Sequence, residues 1–475
     1  MLTGPLFLIV LPLALAAVVY LLRRWALIAA SLASATVFVM ASLCLRLPLD
    51  RSVSVPGLTW LLGWKVALGE PMMVLGREFA LEPAGCSTLG FIYLIAVVAF
   101  LFAWRISQGR LFFPLGLVIL SLLGAAVMVR LFLFAVLFLW IASLVAVLII
   151  QGERQGSGRG ALRYLVMVSL AIPPLLIAPW LIDLQAVNPD NLALLHYAAV
   201  LLAVGFAILL AVVPFHGWVS AVAIDAPPVV AAFLFTVTNA VVLLLMLNLF
   251  QSYPWLSEDP QVFGLLRLGG LLMAVVGGLL AFAQQDFGHL LGYAVLSDMG
   301  CTLVALGVAS PAALTAALLQ VTHRSVGLML TAMGLAVMRH HAGSDSFADL
   351  AGVARRLPLS TAGLVLGGLS LAGMPLTVGF PSRWAIYRLL SLGPAPGLAF
   401  AMLLSGAGVA FGYLRGLSTL LGPSTESKVK RDPFIASLII MGMIILCLGL
   451  GLRPQWLLPP IQRVVESFGF LVARR

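Results

Sequence analysis

The sequence predicts an all-α polytopic membrane protein with about 14 transmembrane helices. Three observations carry that prediction. Of the 475 residues, 62% are hydrophobic and 9% are charged, where a soluble domain carries roughly 25% charged residues. The mean hydropathy is +1.13. Apolar runs long enough to cross a bilayer, which takes about 20 residues in a helix, recur along the whole chain.

The runs fall at 3–22, 25–45, 86–104, 111–129, 131–150, 161–182 and 194–214, then at 226–250, 262–283, 290–309, 311–338, 358–390, 397–420 and 434–452. Backbone groups in lipid need internal partners, so each run is predicted to be helical. The strand alternation of a membrane barrel, over about 10 residues, is absent. The first run ends at Arg23 and Arg24 and has no small-residue cleavage pattern, so it reads as a helix and not a removed signal. The stretch 47–85 is the longest polar connection. With Pro48, Pro56, Gly57, Gly63, Gly69 and Pro71 it reads as a loop or hairpin outside the bilayer. After Pro459 and Pro460, residues 461–470 fit one amphipathic surface helix.

The formal net charge of +10 would suggest nucleic acid in a soluble protein. Here the basic residues sit in the gaps between runs. Arg23, Arg24, Arg105, Arg110, Arg154, Arg159 and Arg163 fall in alternate loops, as do Arg339, Arg355, Arg356, Lys428, Lys430 and Arg431. A surplus of basic residues marks the cytoplasmic face; the exception is 46–77, which puts Arg46, Arg51, Lys65 and Arg77 on the outer side. The expected location is therefore the inner (cytoplasmic) membrane, multi-pass, with both termini outside and no nucleic-acid partner. Cys44, Cys86, Cys301 and Cys447 are scattered without metal spacing and read as small packing residues.

Two runs look interrupted. One carries Pro214, Phe215, His216, Gly217 and Trp218 before Pro227 and Pro228, and the other carries Gly373, Met374 and Pro375, then Gly379, Phe380 and Pro381. Proline removes a helical hydrogen bond and kinks or breaks the helix. Irregular backbone at membrane depth is tolerated where it is buried or lines a polar path. Such breaks, paired in two halves of a chain, point to inverted repeats around a transport site.

Ionisable side chains inside the membrane are costly and are candidates for function. His216, Asp225, Asp298, His323, Arg324 and Arg383 stand out as proton-path candidates; Asp298 can pair with Arg324 or Arg383. Carboxylate and imidazole exchange protons at accessible pH, but a structural ion pair uses the same residue types. Lysine occurs only at Lys65, Lys428 and Lys430, outside every apolar run, so a row of buried lysines does not exist in this chain.

These residues resemble a known family. Pro214-Phe215-His216-Gly217-Trp218, followed by Asp225-Ala226-Pro227-Pro228-Val229, is similar to PFHxW…EAPxPVSA of the antiporter-like membrane subunits of respiratory complex I. Membrane-bound hydrogenases, multisubunit cation/proton antiporters and inorganic-carbon uptake complexes share those subunits. Gln285 to Tyr293, running on to Ser297-Asp298-Met299-Gly300, resembles QxDxKRLLGYSSISHxG. Leu371 to Phe380 with Arg383 resembles LAGxPxTxGFxGK, and Gly412-Tyr413-Leu414-Arg415 resembles YYLR. The four matches stand in order over about 200–415.

The resemblance implies the shorter, 14-helix type of subunit, with two inverted five-helix repeats that each contain one broken helix, near Pro214 and near Pro375 to Pro381. The chain then divides into N-terminal helices and an outer loop (1–110), a first repeat (111–250), a second repeat (251–420), and a last helix with a short tail (421–475). It also implies a charged axis of glutamate and lysines at mid-membrane depth. Carried over residue by residue, most of that axis is replaced. The fifth-helix glutamate falls at Leu139 or Ile141, the seventh-helix lysine at Leu209 and the eighth-helix lysine at Asn239. The lysine of the KR pair becomes Gly288, and the lysine of GFxGK becomes Arg383. His323 resembles a family histidine on a helix broken in mid-span, and the position four further on, often lysine, is Gly327.

The resemblance therefore implies an antiporter-like integral subunit of a complex I-like assembly, of NADH:quinone oxidoreductase or hydrogenase type. Such a subunit sits in the lipid bilayer beside other membrane subunits, and the family role is proton translocation. The replaced axis predicts that the role here is impaired or structural. Two alternatives are an active proton/cation antiporter module using the substituted residues, and a membrane subunit of an inorganic-carbon uptake complex. The sequence shows no metal motif, nucleotide loop or nucleophile–base pair, so no cofactor is expected, and any redox chemistry belongs to partners.

Overall fold

Helices account for most of the described residues, as the apolar runs require. The computed structural model describes residues 2–46, 52–54, 65–152, 158–393, 396–423 and 433–471. Pro48, Arg51, Pro56, Gly57, Gly63, Arg154, Lys428, Lys430 and Arg431 lie outside the described residues.

In chain order the helices are α1 (Gly4–Leu21), α2 (Ala26–Arg46), α3 (Pro83–Arg105), α4 (Phe112–Met128), α5 (Phe132–Gln151), α6 (Arg159–Val187), α7 (Ala193–Leu209), α8 (Gly217–Asp225) and α9 (Pro228–Ser252). The short α10 (Pro254–Glu258) precedes α11 (Pro260–Ala283), α12 (Phe287–Leu306) and α13 (Pro311–Ala342). They are followed by α14 (Pro358–Ala372), α15 (Gly379–Ser391), α16 (Pro396–Leu420), α17 (Phe434–Leu452) and α18 (Leu458–Glu466). Eleven of these are long and apolar enough to cross a membrane, and α4, α7 and α14 are shorter apolar helices. The predicted runs and the observed helices coincide pass for pass.

The polar stretch after α2 forms strands. β1 (Leu2–Thr3), β2 (Ser52–Ser54) and β3 (Lys65–Ala67) pair in the order β1-β3-β2, parallel between β1 and β3 and antiparallel between β2 and β3. β4 (Met72–Val74) and β5 (Arg77–Phe79) form a tight hairpin. Its turn residues, Leu75 and Gly76, both have positive φ, 50° and 72°, as a two-residue turn matched to strand twist requires. The hairpin expected in 47–85 thus lies at 72–79.

Nearly every residue of α9, α12 and α13 is buried, so these three form the centre. α11 packs on α12 through small residues: a Cβ on Gly270 would lie 2.6 Å from the Gly300 carbonyl, and one on Gly277 2.5 Å from the Ser297 nitrogen. Small residues let helix backbones approach where apolar lipid gives no burial advantage. The tail helix α18 is shorter than predicted and packs against α13 and α3 through Ile461.

Both predicted breaks are present. α7 stops at Leu209, and after Ala211 (φ 58°) the chain passes Pro214 before α8 begins. α14 stops at Ala372, where Gly373 adopts φ 78° as a left-handed helix end, and α15 begins at Gly379, after Pro375. Each break falls in the fourth pass of a group of five, α4 to α9 and α11 to α16. Five is odd, so the second group runs in the opposite sense to the first.

Three expectations need correction. Pro381 does not break a helix; it sits in the first turn of α15, where its missing N–H is one that has no partner inside the helix anyway. The helix carrying His323, α13, runs unbroken from Pro311 to Ala342, so that histidine is not on a helix interrupted in mid-span. Arg339 is not a loop residue: it lies in the last turn of α13, buried, with its guanidinium on the Asp345 carboxylate and its Nη1 2.8 Å from the Ala226 carbonyl.

Candidate functional site

A buried polar cluster occupies the middle of the second group of helices. Asp298, halfway along α12, is flanked by two arginines. Its Oδ1 accepts from Arg383 Nη2 at 3.2 Å, and its Oδ2 lies 3.7 Å from Arg324 Nη1. All three side chains are at most 1% exposed. The sequence left the choice between the two arginines open, and the fold brings both. An isolated charge at this depth is prohibitive, and a paired one persists only if its remaining hydrogen-bonding groups are met. Gln320 supplies one of those groups by donating to Asp298 Oδ1.

Each arginine has a second anchor. Arg383 Nη2 donates to the Leu371 carbonyl at 2.5 Å, one of the carbonyls left over where α14 ends. A cation at that point also faces the negative end of the α14 dipole. Arg324 donates to Asn239 Oδ1 on α9 and approaches Thr302 Oγ1 at 3.5 Å. Asn239 is where the resemblance places a lysine. In this chain that position accepts a hydrogen bond from a cation on α13.

The first break is secured in the same manner as the second. Trp218, on α8, donates from Nε1 to the Ile208 carbonyl at 3.3 Å, which also accepts from the Ala211 N–H, so in each half a side chain beyond the break reaches back to a carbonyl in the last turn before it.

The other candidates fall in different places. His323 is fully buried beside Arg324; its Nδ1 is 2.9 Å from Ser382 Oγ, and its Nε2 has no protein partner among the described residues. His216 stands at the N-cap position of α8 without a side-chain capping bond and is half-buried, with Nδ1 unpartnered among the described residues. Asp225 ends α8, and its Oδ2 accepts from the Gly160 N–H at the foot of α6, 2.6 Å away. Gly288 of α12 faces Ile224, and Gly292 faces Ser220, so α8 and α12 run antiparallel with Asp225 near the start of α12. Asp298 lies ten residues further on, about 15 Å along the helix axis. Asp225 therefore ties a membrane-surface turn together, away from the cluster.

Three of the positions onto which the resemblance maps a charged axis lie together. Leu139, Leu209 and Asn239 line one cavity of about 20 Å³, with Ser143, Tyr164 and Trp218, room for about one water. Between Asn239 and Arg324 the packing with Met299 and Thr302 leaves no space for a water. Ile141 is 42% exposed on the outer face of α5, so of the two only Leu139 faces this cavity. At Gly288 a Cβ would stand 3.1 Å from Asp345 Oδ2 and 3.4 Å from Arg339 Nη2, so the Arg339–Asp345 pair fills the space beside Gly288. At Gly327 a Cβ would meet Ser370 Oγ at 3.0 Å, which leaves no channel for a longer side chain.

Sequence reasoning missed Gln320, Thr302, Ser382 and the Arg339–Asp345 pair. The signal for Gln320 was available: it lies four residues before Arg324, on the same helix face.

A profile of the family described as NADH:quinone oxidoreductase/Mrp antiporter, transmembrane, matches residues 125–409, more than half of the chain. The chain belongs to this family. Among curated relatives, it is 31% identical over 291 residues to NADH-quinone oxidoreductase subunit N 2 of Acidobacterium capsulatum, covering 58% of each chain. It is 26% identical over 288 residues to formate hydrogenlyase subunit 3 of Escherichia coli, covering 55% of this chain and 47% of that one. The chain thus spans about half the length of the curated relatives it matches. Its fold is like that of a chain in respiratory complex I from Thermus thermophilus, with a TM-score of 0.79 over 98% of this chain and 99% of the other, at 22% identity. The matched span of this antiporter family holds both breaks, the Asp298 cluster and the Leu139–Leu209–Asn239 cavity.

Proposed function

We propose that this chain is an antiporter-like membrane subunit of a multisubunit assembly of complex I or hydrogenase type, and that it acts there chiefly as scaffold. One observation carries the reading. The three positions where the family resemblance expects a glutamate and two lysines line a single cavity, and they are Leu139, Leu209 and Asn239. Leucine exchanges no protons, and asparagine carries no charge at any accessible pH. The charges that persist at mid-membrane depth are mainly arginines, which stay protonated. Asp298 between them holds the second broken helix in place through Arg383.

The partners are other membrane subunits packed in the bilayer, as the relatives' names suggest. Residues 111–250 and 251–420 act as the two inverted repeats. Both termini lie on the outer face of the inner membrane, the side opposite the loops that carry Arg23, Arg24, Arg110 and Arg355.

A second reading has one observation in its favour. His323 is buried beside Arg324 with one ring nitrogen on Ser382 and the other unpartnered, the arrangement of a group able to pass a proton. One experiment separates the two. Asp298→Asn, His323→Gln and Arg383→Gln are introduced into the native assembly, and protons moved per turnover are measured in proteoliposomes, with assembly yield followed alongside. The scaffold reading expects an unchanged ratio in every assembled variant. A collapse of the ratio in complexes that still assemble would overturn it in favour of active translocation.

A further inference from the structure

Two of the four cysteines, 42 residues apart in the chain, meet in space. Cys44 lies two residues before the end of α2, and Cys86 lies in the first turn of α3. The Cys86 thiol donates to the Cys44 carbonyl at 3.1 Å, and the two thiols hydrogen-bond each other. Both are in the reduced form. Cys301 and Cys447 are buried on α12 and α17 and keep the packing role that their scattered positions suggest.

Close helix packing holds the two together. Gly90 lies one turn beyond Cys86 on the same face of α3. A Cβ on Gly90 would stand 2.7 Å from Leu45 Cδ2 and 3.3 Å from Cys44 Cβ, so α2 and α3 approach here as a small residue allows. The pair also lies at the end of two membrane helices. Both cysteines are buried, while Leu45, Arg46, Glu82 and Pro83 beside them are exposed. The segment between them carries β2 to β5. Its last part is tied to the α4–α5 turn, with Arg130 Nη1 3.0 Å from Glu78 Oε2 and the Ala80 N–H donating to the Met128 carbonyl at 2.8 Å.

We propose that Cys44 and Cys86 are joined by a disulfide in the mature protein. This rests on the orientation proposed above, which puts the ends of α2 and α3 outside the cytoplasm, where disulfides form and persist. Sulfurs that share a hydrogen bond have a short way to move to the roughly 2.0 Å of an S–S bond. The oxidant is a disulfide donor of that compartment. One cysteine of the pair, as thiolate, attacks the donor disulfide and forms a mixed disulfide. The other cysteine then attacks that bond, and the donor leaves as a dithiol. The donor's S–S bond breaks, the Cys44–Cys86 bond forms, and two electrons and two protons pass to the donor. Exchange takes place as α2 and α3 come together, before packing closes over the sulfurs. The bond closes the segment carrying β2 to β5 into a loop and lowers the freedom of the unfolded chain. It also fastens α2 to α3, which packs on the buried helix α9.

The test uses cells making the full-length protein in its native assembly. They are quenched in acid, and free thiols are blocked with a maleimide under denaturing conditions. Disulfides are then reduced and labelled with a heavier maleimide, and the peptides are read by mass spectrometry. The expected result is the second label on Cys44 and Cys86 and the first on Cys301 and Cys447. A digest without reduction is expected to contain the Cys44 peptide linked to the Cys86 peptide. Cys44→Ser is expected to move Cys86 to the first label, and Cys86→Ser to do the same for Cys44. First label on both cysteines of the native protein would overturn the proposal, as would linkage of either to a cysteine of another subunit. Reporter cysteines separate that failure from a wrong orientation. Leu75→Cys, at the 98% exposed tip of the β4–β5 hairpin, and the exposed Glu70→Cys are each made in a chain with Cys44→Ser and Cys86→Ser. They are treated in intact cells with a membrane-impermeant maleimide. Labelling from outside, with Cys44 and Cys86 reduced in the native protein, sinks the disulfide alone. Labelling only after permeabilisation, with the pair reduced, sinks the orientation and the disulfide with it.

Discussion

Asp298 and Arg383 meet at 3.2 Å on α12 and α15, and the same arginine nitrogen holds the Leu371 carbonyl at the end of α14. One ion pair therefore fixes both sides of the second helix break to the central helix. The pair is not isolated: Arg324 approaches the other carboxylate oxygen at 3.7 Å. Two cations on one anion make the acid the indispensable member.

Asp298→Ala is accordingly expected to be the most damaging single change in the cluster. It leaves two buried arginines facing each other without an anion. Breaking a buried pair by removing one partner costs about 3–5 kcal/mol. A double-mutant cycle with Arg383→Met is expected to show strong coupling, because once Asp298 is gone the arginine is itself a liability. Thermal stability in detergent and assembly yield would read both effects; simple additivity of the two losses would show that the pair does not act as a unit.

The two leucines of the first cavity make a complementary prediction. Leu139 and Leu209 line the same small cavity. Leu139→Glu or Leu209→Lys alone places one charge at membrane depth, at a cost of roughly 2.5–3.5 kcal/mol. The two together supply an ion pair, so the double variant is expected to be better expressed and more stable than either single one. If the double variant is worse than both, the two positions do not face each other across the cavity.

The architecture was legible because lipid leaves the backbone few options. Every apolar run became a helix, and Pro214 and Pro375 marked the two breaks. Pro381 misled because proline disrupts a helix interior and not a first turn. The site was legible only in part. Asp298, Arg324 and Arg383 stand out as charges in apolar sequence, but which of them meet depends on helix packing. The choice between Leu139 and Ile141 needed to be seen in three dimensions, since only one of two nearby residues on a helix faces inward. Asn239 looks like a loss in sequence and is a partner in space, because the charge it answers sits on α13, 85 residues away.

Asp286 gives a pH-dependent prediction outside the membrane spans. It caps the start of α12, with Oδ1 accepting from the His289 N–H at 2.7 Å and Oδ2 2.7 Å from the His289 ring. Burial pushes its carboxyl up, but the two hydrogen bonds from His289, its charge and that of Arg339 outweigh burial and hold it below the ordinary carboxylate value. A depressed value in the folded state means that the ionised cap stabilises the fold. That contribution is fully present above about pH 4, the ordinary carboxylate range, and is lost as pH falls through the depressed value. Asp286→Ala is expected to cost about 1 kcal/mol at neutral pH, as for other helix caps. The variant and the native protein should then converge in stability in strong acid. A gap that stays constant down to the lowest pH would show that the carboxylate's charge is not what stabilises the cap.

The second break also depends on a residue with no side chain. Gly379 opens α15, its N–H donating to Ser370 Oγ at 3.0 Å, and a Cβ there would lie 1.9 Å from the Ser370 carbonyl oxygen. No rotamer relieves a clash between a Cβ and backbone, so α15 would have to move away from α14. That movement would carry Arg383 with it and loosen its contacts to Leu371 and Asp298. Gly379→Ala is expected to cost at least the 1–3 kcal/mol or so of an overpacked core. Gly442, in α17, is the control: a Cβ there meets nothing within 4 Å, and Gly442→Ala is expected to stay within about 0.5 kcal/mol of the native protein. Paired thermal melts in one detergent compare the two. Equal melting temperatures for both alanine variants would mean that α14 and α15 are not held at the separation described, and that the Arg383 bridge tolerates a wider break.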